Sequence, residues 1–194
     1  MASRPLVRLL PWNKRSFLRC LRGLLVFTAI HAVLIVEVHL MAHLPTDLER
    51  IIEKAWQRAQ AVPDFMAENE MCFLATAAAC APADGVILEI GSFKGKPTVG
   101  LATVCEEYGL APVVAIDPHV GDFPGSLKSA GVEQHVEFHR APSREVATNW
   151  NRAIRLLWIY GDQSYQGCKE DFDLVLSSLV GWGNCCLPRY VESA

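Results

Sequence analysis

Between residues 85 and 119 the hydrophobic pattern changes period twice. Val86, Ile87, Leu88 and Ile90 form a short apolar run, as expected of a strand buried on both faces. Glu89 interrupts it. Gly91 and Gly95 then bracket a turn, lined by Ser92 and Lys94, where a ligand can lie against bare backbone. Pro97 suits the first turn of a helix, where its missing N–H costs little. A second apolar run over 113–116 is closed by Asp117. The pattern predicts strand, glycine turn, helix, strand. It places Glu89, Gly91, Ser92, Gly95 and Asp117 at the carboxyl edge of a sheet, where open α/β folds bind their ligands.

The flanking pattern extends the alternation. Thr46 and Glu49 have capping-box spacing and predict a helix over 46–60, with Leu48, Ile51, Ile52 and Trp56 as its apolar stripe. Pro63 ends it, and an alanine-rich helix over 67–80 follows. Downstream, residues 118–125 read as a loop and 126–130 as a short helix with Gly131 as its C-cap. A third strand lies within 132–139. A helix opens near Pro142 with Ser143 as N-cap, residues 155–160 form a fourth strand, and a last helix covers 165–179. Alternating strands and helices imply a parallel sheet with helices on both faces, a Rossmann-like α/β domain.

Composition adds limits. The 194 residues suffice for one domain with a real core. A net charge of −3 gives no overall signal for nucleic acid. Seven cysteines, an odd number with no C-x-x-C and no histidines at zinc spacing, argue against a disulfide framework and a metal knuckle. No metal site is expected.

The N-terminal part reads separately, as residues 1–44 ahead of a domain over 45–194. Six basic residues precede the first acid, Glu37, and residues 24–36 are strongly apolar. Extended to Leu44, this hydrophobic helix reaches the roughly 20 residues that cross a bilayer. A membrane anchor, a cleaved targeting peptide and a helix packed on the domain all fit. His31, Glu37 and His39 weigh against a spanning helix. A spanning helix oriented by the positive-inside rule would put the domain outside the cell, whereas a helix lying on the cytoplasmic face keeps it inside. The expectation is a membrane-associated protein with its domain in the cytoplasm, the alternative a soluble cytoplasmic one.

The acid, the glycines and the second acid carry a family resemblance. Glu89-Ile-Gly91-Ser-Phe-Lys-Gly95 resembles the first motif of class I S-adenosylmethionine-dependent methyltransferases, and Asp117 matches the acid that holds the cofactor ribose in that family. Residues 156–165 (LLWIYGDQSY), followed by 169–173 (KEDFD), resemble the fourth-strand segment of a subfamily reading F-I-D-G-D-H-S-Y and then D-F-D. The resemblance covers about residues 48–180. It implies strand order 3-2-1-4, S-adenosylmethionine as cofactor, and a small-molecule acceptor. Glu89, Gly91, Ser92, Gly95 and Asp117 would bind the cofactor. In metal-dependent relatives the first Asp of the subfamily motif is a metal ligand; here Tyr160 stands there, and Gln163 replaces the His. Glutamine is no base at neutral pH. Asp162 is then the catalytic candidate, with a turn-holding role as the competing reading.

After residue 180 too little sequence remains for strands 5–7 of the family sheet, so strand 4 is expected to be an exposed edge open to an oligomeric partner. Three functions follow. The first is transfer of a methyl group from S-adenosylmethionine to an oxygen or nitrogen. The second is a non-catalytic, membrane-associated cofactor-binding or interaction protein. The third, a nicotinamide-dinucleotide oxidoreductase, ranks below because G-x-G-x-x-G is replaced by Gly91-x-x-x-Gly95.

Overall fold

In the computed structural model the described residues are 45–180, apart from 83 and 120, with the backbone of residues 33–34. Four parallel strands organise them: β1 (Val86–Ile90), β2 (Val113–Ile116), β3 (Val136–His139) and β4 (Ile154–Ile159). They pair in the order β3-β2-β1-β4, the order 3-2-1-4 of the sequence expectation. The apolar runs are buried because helices cover both faces. Ile87, Val113, Ala115, Leu156 and Trp158 pack under α1 (Leu48–Ala59), α2 (Glu68–Cys80), α3 (Lys96–Tyr108) and α4 (Phe123–Ala130). Leu88, Ile90, Val114, Ile116, Leu157 and Ile159 pack against α5 (Ser143–Ala147) and α6 (Tyr165–Val175). Each fully buried Leu or Ile contributes roughly 1.5–3 kcal/mol relative to exposure. The fold is therefore a Rossmann-like α/β layer structure, as the alternation predicts.

Two polar devices orient the helices on the first face. Arg50, Lys54 and Arg58 lie along α1 at four-residue intervals and meet Glu106 and Glu107 of α3. Arg50 Nη2 stands 2.9 Å from Glu107 Oε2, Lys54 Nζ 2.5 Å from Glu107 Oε1, and Arg58 pairs with Glu106. These pairs hold both carboxylates below the ordinary glutamate range. At the opening of β4, the buried Arg155 donates from Nη2 to the Ala78 and Ala81 carbonyls, at 2.7 and 3.0 Å. A guanidinium thus caps the carboxyl end of α2. That fixes α2's direction: its amino end, and the 60–67 connector before it, lie at the carboxyl edge of the sheet.

Several boundaries differ from expectation. The Thr46–Glu49 capping box does not form. Helix α1 starts at Leu48 with Asp47 as N-cap, and the Asp47 carboxylate instead accepts from Arg50 and from the Tyr108 hydroxyl. Ser143 is the first helical residue of α5 and not its cap, because its hydroxyl donates to Asp171 of α6 at 2.5 Å. Helix α4 begins at Phe123, earlier than predicted, since the Phe123 side chain belongs to the core. Residues 133–135 form a 3-10 turn before β3.

The outer edge of β4 is partnered along part of its length. Val180 N–H donates to the Ile154 carbonyl at 2.9 Å, and Leu179 bridges Ile154 in parallel. Near the other end, Val33–Leu34 pairs antiparallel with Ile159 and Trp158. The bare strand-4 edge expected from the sequence is corrected to that extent. The expected membrane anchor over 24–44 otherwise lies outside the described residues, as does the chain beyond 180. Among the described residues no helix is long and apolar enough to cross a membrane.

Candidate functional site

The carboxyl edge of β1 carries the turn read from the sequence, and its backbone explains the glycines. Gly91 and Gly95 both sit at φ +90°, in the left-handed region that side chains disfavour. Gly91 has a second reason to be bare. A Cβ there would stand 2.2 Å from the Gly161 nitrogen at the end of β4. At Gly95 a Cβ would press on the Phe123 ring at 3.0 Å. Between them Phe93 also takes a positive φ, +46°, with its ring exposed.

Asp117 holds this turn in place. Its Oδ2 accepts the Phe93 N–H and its Oδ1 the His119 N–H, each at 2.7 Å. The carboxylate is buried and links the glycine turn to the end of β2. A carboxylate oxygen has two acceptor positions, so each Asp117 oxygen keeps one for a further donor.

Glu89 is fully buried on the α1–α3 side of β1. Thr98 of α3 donates to its Oε2 at 2.5 Å, while Oε1 has no partner. The neighbouring Ser92 Oγ is buried and close enough to the Glu89 carboxyl to act on it, though outside full hydrogen-bond geometry. Burial without a cation pushes Glu89 up to about 8; the Thr98 and Ser92 hydroxyls oppose this, and Asp64 and Asp117 add to it. A buried polar atom left unpaired costs roughly 1–3 kcal/mol, and Glu89 Oε1 and Ser92 Oγ, a carboxyl oxygen and a hydroxyl, both lack a full hydrogen bond here.

The structure brings Glu89, Gly91, Ser92, Gly95 and Asp117 together at one edge. Asp162 follows Gly161 and so starts beside this turn, but its side chain is engaged locally. Its Oδ1 accepts the Ser164 N–H at 2.9 Å, which draws its pKa below the ordinary aspartate value, and a Cβ on Gly167 would meet its carboxyl at 2.5 Å. That contact fits a turn-holding role, and the side chain is otherwise exposed. Among the described residues no group of His, Cys, Asp and Glu is placed to hold a metal ion.

The sequence reading missed one component, the connector between α1 and α2. Asp64 in that connector is half-buried. Its Oδ1 accepts the Phe65 N–H at 2.6 Å and its Oδ2 has no partner. The buried Lys96 reaches the Asp64 carbonyl at 3.4 Å, with its ammonium over the Trp56 ring. Trp158 stands opposite Glu89 in the β1–β4 register, with its Nε1 buried and unpaired, and stacks on Tyr160 with ring centroids 5.8 Å apart. Burial pushes the Tyr160 phenol up to about 12, with Asp64 and Glu70 adding to it. No local motif announces such a residue, because only the packing of α2 brings the connector over β1.

Comparison with known proteins gives one family match. Residues 88–183 match the model of a methyltransferase domain family. No curated protein matches the chain. Among solved structures, a methyltransferase of Podospora anserina with S-adenosylhomocysteine bound is similar at 15% identity and a TM-score of 0.48, covering 89% of this chain and 68% of that one. A Klebsiella pneumoniae protein provisionally assigned as an O-methyltransferase is similar at 21% identity and a TM-score of 0.39, covering 59% of this chain and 51% of that one.

Proposed function

The chain belongs to the class I S-adenosylmethionine-dependent methyltransferases, and from that premise we propose that it binds S-adenosylmethionine at the Gly91–Gly95 turn and transfers its methyl group to an oxygen of a small acceptor. The observation that supports this most is the pair of unpaired, buried atoms, Glu89 Oε1 and Ser92 Oγ, under a turn whose glycines keep side chains out of the way. The residues fit the group. Glu89 and Ser92 offer an acceptor and a hydroxyl to a polar, cationic end, and the free acceptor positions of Asp117 suit a ribose diol. The cofactor supplies an activated methyl group on a sulfonium. The protein holds the partners in line and excludes water, and such positioning supplies much of the rate in reactions of this kind.

Glu89 gains from occupancy. A cation beside it would lower its pKa and relieve the cost of a buried, unpaired carboxyl. Where the subfamily motif that this segment resembles has a metal-ligand Asp and a His, this chain has Tyr160 and Gln163, and we assign acceptor activation to other groups. The same replacements favour the second reading, a protein that binds the cofactor without turning it over.

Two measurements separate these readings. Calorimetric titration of S-adenosylmethionine and S-adenosylhomocysteine should show micromolar binding that weakens in Asp117→Ala. Transfer of label from methyl-labelled S-adenosylmethionine to a panel of hydroxylated small molecules should then be detectable. Binding with no transfer to any of them would favour the non-catalytic reading, and no binding by folded protein would end both.

A further inference from the structure

The atoms that the cofactor reading leaves unused point to the other substrate. Beyond Glu89 and Ser92, the described residues hold two more unpaired, buried side-chain atoms near this edge: Asp64 Oδ2 and Trp158 Nε1. One accepts and the other donates. They belong to a single neighbourhood. Asp64 is near enough to Tyr160 and to Glu89 to perturb both, and Tyr160 stacks on Trp158. Phe65 on the same connector is 92% exposed, and Phe93 on the glycine turn is exposed as well. Both sit on loops at the carboxyl edge. Exposed aromatic rings on loops of the edge that also holds unpaired polar atoms suit a flat apolar molecule carrying a hydroxyl.

We propose that Asp64 is the acceptor-side base: it receives the proton of a hydroxyl borne on a flat, apolar acceptor seated between the connector and the end of β4. This rests on the methyl-transfer reading. The step balances without a further reactant. The acceptor oxygen forms its bond to the methyl carbon as the carbon–sulfur bond breaks, the bond's electron pair passes to sulfur, and the hydroxyl proton passes to Asp64 Oδ2. Trp158 Nε1–H is placed to steady an oxygen on the same molecule. Phe65 supplies a wall.

The charged and titratable groups around Asp64 are Lys96 and Lys94 from the glycine turn and α3, Glu70 from α2, Tyr160 from the end of β4, and Glu89 from β1. Burial raises the Asp64 carboxyl above the ordinary range, which the two lysines partly offset and Glu70 increases. Asp64 accepts a proton only when ionised. Turnover therefore rises with pH as Asp64 loses its proton.

The test uses the full chain with S-adenosylhomocysteine and then 4-nitrophenol as the acceptor probe, followed by tryptophan fluorescence and by the phenol and phenolate absorbance. Wild type should bind both. In Asp64→Asn, homocysteine-product affinity should stay within about twofold while 4-nitrophenol binds about tenfold more weakly, the scale of one charge-assisted hydrogen bond. Phe65→Ala, at an exposed position that does not threaten folding, should weaken the probe alone. With labelled S-adenosylmethionine, methyl transfer to unsubstituted phenol, whose own ionisation lies at about pH 10, should follow the rising pH profile in wild type and lose that rise in Asp64→Asn. Equal probe affinity and an unchanged pH profile in Asp64→Asn would overturn the assignment, as would wild type that binds S-adenosylhomocysteine but no 4-nitrophenol. Failure to bind S-adenosylhomocysteine at all is a separate result that removes the underlying reading and this proposal with it.

Discussion

Gly91 and Gly161 meet backbone to backbone, joining the turn after β1 to the end of β4. A Cβ on Gly91 would stand 2.2 Å from the Gly161 nitrogen, whereas one on Gly161 would find Gly91 at an ordinary 3.6 Å. The contact is one-sided, and so is the prediction. Gly91→Ala combines a clash with backbone at a positive φ and should destabilise the domain by more than about 2 kcal/mol. Gly161→Ala should cost under about 1 kcal/mol. Thermal melts of the two variants check this; equal losses would contradict it.

Asp117 ties that turn to β2 through the Phe93 and His119 amides. In Asp117→Ala both amides lose their acceptor, at roughly 1–3 kcal/mol for each that stays buried. Amide hydrogen exchange should show faster exchange at Phe93 and His119 and little change in β2. Unchanged protection at those two amides would show that the carboxylate does not hold the turn.

Glu89 sets a pH dependence of unusual sign for a carboxyl. Its folded pKa, about 8, lies above its unfolded value, so its contribution to stability is full below the ordinary glutamate range and is lost as pH rises through 8. Glu89→Gln is neutral throughout. It should melt more than about 4 °C above wild type at alkaline pH, with the gap closing towards pH 4. A gap that did not depend on pH would refute the linkage.

The Arg50–Lys54–Arg58 stripe works in the opposite sense. Glu106 and Glu107 have lowered folded pKa values, so the stability that they add is present above the ordinary glutamate pKa and is lost as pH falls through the folded values. These side chains are partly exposed, so each pair is worth under about 1 kcal/mol and weakens with salt. Glu106→Gln should lower the melting temperature by about 2–4 °C at neutral pH, and by less in acid or high salt. An effect indifferent to salt would assign the loss to packing.

The strands and the glycine turn were legible because burial and backbone conformation leave local marks. A run such as Val86–Ile90 has no other use, and a glycine at each end of a five-residue turn reflects positive φ. Helix starts were less legible. Thr46 and Ser143 have the right chemistry for caps, but tertiary partners decide: Asp171 takes the Ser143 hydroxyl, and Asp47 occupies the N-cap position of α1 while its carboxylate engages Arg50 and Tyr108. The family resemblance points to Asp117 as a ribose ligand, but its grip on two backbone amides leaves no mark in the spacing. Asp64 was not legible at all. Its place near Glu89 and Tyr160 depends on Arg155 capping α2 from the far end of the sheet, a contact between residues 74 and 77 positions apart.

Cofactor binding at the Gly91–Gly95 turn is tested most directly by calorimetric titration of S-adenosylhomocysteine into wild type, Glu89→Gln and Ser92→Ala. Micromolar binding by wild type, weakened about tenfold in each folded variant, is the predicted result. Wild-type affinity in both variants, or no binding by folded wild type, would contradict it.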